Sequence, residues 1–159
     1  MHWPRHLLLV TLALFWCALI FAAPYLTVGT HRGFGWMIFV LFSELCHQNP
    51  LRSFTLAGVC FPVCSRCFGI YFGGLAGMLV FPCVRHCGAP LFKNLCLITL
   101  LLLVLDVGMD ISRLIQNTFF SRTLTGALFG AANGMLLSMA LQQIKRTPSP
   151  IDLLPEAHF

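Results

Sequence analysis

Six residues able to do chemistry crowd into two neighbouring stretches, ELCHQNPLRSF and PVCSRCFGIYFGG. They are Cys46, His47, Arg52, Cys64, Arg66 and Cys67. Cys64-Ser-Arg-Cys67 has the spacing at which two thiolates of one turn reach a single ion. Cys46 and His47 are of the types that complete a Cys3His or Cys2His set. Adjacent side chains point apart in regular structure, so both can ligate only from irregular backbone, which Pro50 favours. The same atoms permit a second chemistry. At a helix N-terminus a CxxC thiolate is stabilised by the helix dipole and by Arg66. Exchange between dithiol and disulfide, linked to a quinone and with Cys46 or Cys60 as exchange partner, then becomes available. The plainest alternative is an inert set of reduced thiols or a structural disulfide.

A second polar group lies further on. Asp106, Asp110, Arg113 and Asn117 are four, three and four residues apart and share one stripe if a single helix runs through them. Ionisable groups in apolar helices are costly and are generally paired or functional. The acids either neutralise Arg113 or Arg122 and lock two helices together, or complete a site whose other half holds the thiols. The two roles are compatible. Cys17 and Cys96 lie inside apolar runs and read as small buried hydrophobes. Cys83 and Cys87 flank Arg85-His86, a spacing that suits a disulfide or a weak metal site but reads most simply as a loop pair without a role.

The elements that must position these groups are apolar. Hydrophobic residues make up 58% of the 159-residue chain and charged residues 9%, with a mean hydropathy of +0.84. Soluble domains carry about 25% charged residues, so this chain is expected to be integral to a lipid bilayer. The +5 net charge comes from basic residues that stand singly except Lys145-Arg146, and no basic stripe points to nucleic acid. No phosphate loop, serine elbow or zincin helix motif is present.

A spanning helix needs about 20 apolar residues. The pattern predicts helices over 7–26, 34–46, 63–81, 91–109 and 119–141, the third stopping at Pro82. The segment 47–62 is expected to lie in the interface or re-enter the bilayer. The first apolar run reads as a retained helix and not a cleaved leader, because Pro24 directly follows Ala22-Ala23. The expected fold is thus all-α, a polytopic transmembrane bundle of about five helices, with four spans and one interfacial segment as the alternative. It forms one domain over 1–144, followed by a mobile polar tail over 145–159. Glycine recurs at every fourth position in Gly69, Gly73, Gly77 and in Gly126, Gly130, Gly134, which puts bare backbone on one face of each helix. These two helices pack against each other or each against another neighbour. Five spans bring Cys46, Cys64, Cys67, Asp106, Asp110 and Arg122 to one membrane face, together with the N-terminus.

The motifs CHQNPLRSF and PVCSRCFGIYFGG resemble a family of small bacterial membrane proteins of unknown function, the domain of unknown function 2085 family. The matching positions are Cys46, His47, Gln48, Pro50, Arg52, Ser53, Pro62, Cys64, Arg66, Cys67, Gly69, Ile70 and Tyr71, then Asp106, Arg122, Thr125 and Gly126. Where the family tends to have Asp-Gly and a Gln, this chain reads DVGMD, with Val107 and an extra acid at Asp110. The resemblance implies a bacterial inner-membrane location and supplies no activity. It sorts Cys46, Cys64 and Cys67 from the other five cysteines, which favours a metal, zinc or iron, over two disulfide pairs. His47 is then a fourth ligand or a supporting group. Gln48, Arg52, Ser53, Arg66, Tyr71, Asp106, Asp110 and Arg122 form the surrounding set that supports the ion or binds a small molecule. A quinone-linked thiol oxidoreductase and a non-catalytic assembly or transport factor are the competing readings, and oligomeric state is open.

Overall fold

The computed structural model describes residues 3–29, 31–56, 58–112 and 117–143. Five helices account for most of them: α1 (Trp3–Val28), α2 (Arg32–Ser43), α3 (Ser65–Val84), α4 (Ala89–Ile111) and α5 (Phe119–Gln143). Four are long and apolar enough to cross a membrane. The exception is α2, whose 12 residues rise only about 18 Å against a hydrocarbon core of about 30 Å.

The centre of the bundle is the contact between α3 and α5. A Cβ on Gly73 would meet the backbone of Ala127, one on Gly77 that of Ala131, and one on Gly130 that of Ile70. Any side chain there would have to displace main chain, so only glycine allows the approach. Of the two packings that the glycine spacing allows, the helices take the direct one. The register (Gly69 against Thr123, Gly73 against Ala127, Gly77 against Ala131) rises together in both helices, so α3 and α5 are parallel and start at the same end. Helix α4 runs back in the opposite direction and packs on α5. It buries Phe92, Thr99 and Asp106, a single stripe at seven-residue steps, while Leu97, Leu101 and Leu105 stay exposed on the surface that lipid covers.

Helix α1 lies antiparallel to α3. His6 packs beside Phe81, with ring centroids 6.1 Å apart, while Phe21 meets Phe68 at 6.0 Å. Its last turns hold α2, where a Cβ on Gly35 would strike Thr27. Ile20, Ala23, Ile38, Phe42, Cys46, Phe61 and Val63 form one buried cluster there. Because α2 is too short to recross, the N-terminus lies at the end of the bundle opposite to Cys64. This corrects the five-span arrangement, which put Arg5 and the thiols on one face.

Two further expectations are corrected. Helix α3 continues through Pro82 to Val84, since a proline in a last turn removes few helical hydrogen bonds. The segment after α2 is built from short elements. Asn49 caps a 3-10 turn over Pro50–Arg52 by accepting from the Leu51 N–H at 3.0 Å. A small antiparallel hairpin follows, β1 (Thr55–Leu56) and β2 (Val59–Cys60). Gly58 turns it with φ +78°, a conformation that glycine adopts without strain. Helix α4 ends at Ile111, so no helical stripe reaches Asn117. Arg113 and the tail over 145–159 lie outside the described residues.

Candidate metal centre and polar cap

Two segments bring three thiols together. Cys46 follows α2, where its N–H donates to the Phe42 carbonyl at 2.9 Å. Cys64 is the residue before α3, and Cys67 lies in the first turn of that helix. Their sulfurs lie within 4.8 Å of one another. The Cys64 N–H donates to Cys46 Sγ at 3.2 Å, which ties the end of α2 to the start of α3. Hydrogen bonds from the thiols of Cys46 and Cys67 hold Cys64 well below the ordinary thiol range, against the opposing effect of burial. All eight cysteines are free thiols.

The cluster borders a cleft of about 380 Å³ whose lining includes His47, Arg52, Ser65, Arg66 and Arg122. His47 is exposed and lines this cleft without joining the three sulfurs.

Behind the cleft, two aspartates of α4 tie the surrounding elements together. Asp106, 4% exposed, accepts from Arg66 of α3 and from the Ser121 hydroxyl of α5 at 2.8 Å. Its backbone carbonyl accepts from Asn117 Nδ2 at 2.8 Å. Asp110 pairs with Arg122 at 2.7 Å and with the half-exposed Arg52 at 3.5 Å. The buried pairs are charge-assisted bonds in a low dielectric. The exposed Arg52 contact contributes little. Thus the acids neutralise Arg66 and Arg122 and lock α4 to α3 and α5, and these two arginines line the cleft.

Other residues singled out by sequence have local tasks. Gln48, at φ +47°, turns the chain after α2 and donates to the Phe39 carbonyl at 2.6 Å. Ser53 is buried and donates to the Asn49 carbonyl at 2.9 Å. Tyr71 does not line the cleft; its ring packs against Trp16 and Phe42. Cys83 and Cys87 are exposed at the other end of α3.

Sequence reasoning missed Ser65 and Ser121. Ser65 is fully buried, and its hydroxyl has no partner among the described residues. The Nε atoms of Arg66 and Arg122 are likewise buried without partners. A serine inside CSRC gave a signal of position, but none of burial.

The profile of a family described as predicted membrane protein (DUF2085) matches residues 46–136, more than half of the chain. An uncharacterised protein of Methanocaldococcus jannaschii is 36% identical over 84 residues, covering 50% of this chain and 53% of that one. An uncharacterised protein of Methanothermobacter thermautotrophicus is 46% identical over 43 residues, 27% of this chain and 39% of its own. The chain therefore matches about half or less of the length of these curated relatives. Both are archaeal, whereas the motif resemblance pointed to bacteria. No solved structure matches.

Proposed function

The chain belongs to the DUF2085 family of predicted membrane proteins, and on that premise we propose that it binds one transition-metal ion, zinc or iron, through Cys46, Cys64 and Cys67. The observation that supports this reading most is the convergence of three sulfurs from two segments within 4.8 Å. Tetrahedral zinc with Zn–S bonds of about 2.3 Å separates two sulfurs by about 3.8 Å, so only a small closing movement is required. Three sulfur donors, with Cys64 favoured as thiolate by hydrogen bonds, form a soft set that suits these metals. His47, on the neighbouring cleft wall, is the fourth ligand or a supporting group. An ion with three protein ligands offers Lewis acidity at an open position when bound.

The residues of the chain supply the rest. The Asp106–Arg66 and Asp110–Arg122 pairs orient the first turns of α3 and α5, so the arginines are held beside the thiols and not free to swing into solvent. A small molecule entering the cleft meets these groups together. The plasma membrane, which bacteria and archaea share, is the proposed location. Elemental analysis of the purified protein in detergent tests the reading. About one zinc or iron per chain is expected for a single thiolate site, and a metal-free preparation that stays folded and fully active would exclude it.

A second reading is favoured by the placement of Cys64 between two other thiols. Cys64 and Cys67 would form a disulfide, passing two electrons and two protons to a quinone that becomes a quinol, and Cys46 would be the exchange partner. Alkylation before and after reduction separates the two: this reading requires a Cys64–Cys67 disulfide in the oxidised protein, whereas the metal reading requires protected thiols that a chelator exposes.

A further inference from the structure

We propose that the cleft beside the thiols binds a phosphate group, a free phosphate or that of a lipid headgroup, on Ser65, Arg66 and Arg122, with Arg52 at its edge. The inference rests on the metal reading only for what lies next to the phosphate, and it stands on different atoms.

The argument is an account of unused donors. Asp106 takes one Nη of Arg66, and Asp110 takes one Nη of Arg122. Among the described residues each arginine keeps a buried Nε–H without a partner, and the Ser65 hydroxyl, 0% exposed, has none either. Arg122 is 9% exposed, so water is a poor substitute. All three residues line the same cleft, and neither aspartate does. Buried donors left unmade are costly, and these three come from two helices.

A ligand that satisfies donors arriving from separate directions needs several acceptor oxygens. A phosphate has them, and guanidinium groups bind it with matched geometry. The helices add to this. α3 and α5 are parallel, so both N-terminal ends, with their free backbone N–H groups, lie at this end of the bundle. Charge alone does not select the ligand. Three arginines and two aspartates leave one positive charge, which a divalent ion on three thiolates offsets. The donors select it.

Ser65→Ala separates this role from a structural one. It deletes a hydroxyl that bonds to none of the described residues, so thermal stability should hold or rise, while a lost bond to a charged ligand should weaken phosphate binding roughly tenfold or more. Arg122→Gln should weaken it further, but it also breaks the pair with Asp110 and serves as the second variant. The full chain in detergent is titrated calorimetrically with inorganic phosphate, with dioctanoyl phosphatidic acid and with dioctanoylglycerol, both metal-loaded and after chelation.

Binding of inorganic phosphate identifies a free anion as ligand. Binding of phosphatidic acid but of neither inorganic phosphate nor the diacylglycerol identifies a headgroup. Either result supports the proposal. It is overturned if neither phosphate compound binds beyond the diacylglycerol control, or if Ser65→Ala leaves the affinity unchanged. Protein that holds metal yet ignores phosphate refutes this inference and spares the metal centre; protein that binds phosphate but holds no metal does the reverse.

Discussion

Both ends of α3 carry a pair of cysteines with an arginine between them, Cys64-Ser-Arg-Cys67 at one end and Cys83-Val-Arg-His-Cys87 at the other. At the first end the thiols meet Cys46 within 4.8 Å and stand beside three arginines. At the second they are exposed and join no such cluster among the described residues. Local spacing is thus a poor guide to which pair makes a site. What differs is what the rest of the fold delivers. The glycine contact sets the start of α5 beside the start of α3, and the turn after α2 returns Cys46 to the same place. The elements that meet at the other end, around His6, Phe81 and Phe92, bring no third cysteine into such a cluster among the described residues.

The comparison breaks most completely if the glycine contact is removed. Gly73→Leu drives a side chain into the backbone of Ala127. It should cost at least about 3 kcal/mol, the upper end of overpacking penalties, and should separate the two halves of the site. Loss of thermal stability together with loss of bound metal would show it. Next in size, Cys46→Ser, Cys64→Ser or Cys67→Ser should each lower metal content roughly tenfold or more, as loss of a direct ligand exceeds the effect of losing an outer partner. Cys83→Ser and Cys87→Ser should change it little, and equal losses at both ends would erase the distinction.

Asp106→Asn leaves the partly buried Arg66 without its carboxylate and should destabilise by about 3 kcal/mol, in the range for breaking a buried pair. Denaturation in mixed micelles measures this. The smallest effect is a pH dependence of the metal-free protein. Cys64 ionises below the free-thiol value of about 8.5, so the folded state holds fewer protons than the unfolded state. Stability should therefore rise as pH climbs towards that value and fall as pH drops. Cys64→Ser should flatten this slope, and Cys83→Ser should leave it in place.

Much of this was legible in the sequence because it depends on local composition. Runs of leucine and phenylalanine between breakers marked the helices, and the glycine repeats marked the two that pack most closely. The grouping of Cys46, Cys64, Cys67, Asp106, Asp110 and Arg122 at one end followed from alternating helix directions. It held even though α2 does not cross, because α1 reverses along with it. That cancellation also explains the misplaced N-terminus: 12 apolar residues look like a helix, but their length decides whether the chain changes sides. The hairpin at Thr55–Cys60 was hidden because two-residue strands carry no periodicity. The pairing of an acid with Arg122 was legible, but that of Asp106 with Arg66 was hidden, because it depends on how α4 is rotated about its axis, which a stripe of leucines on almost every face does not specify. Ser65 became visible only once its hydroxyl was seen to be buried and unpaired.

The central claim is that three sulfurs of this chain share one ion. X-ray absorption at the zinc or iron edge of the purified protein tests it most directly. The account predicts a shell of about three sulfurs near 2.3 Å with one lighter nitrogen or oxygen neighbour, the pattern of a three-thiolate site with one open or histidine-filled position. A first shell made only of nitrogen and oxygen, or one unchanged by Cys46→Ser, would contradict it.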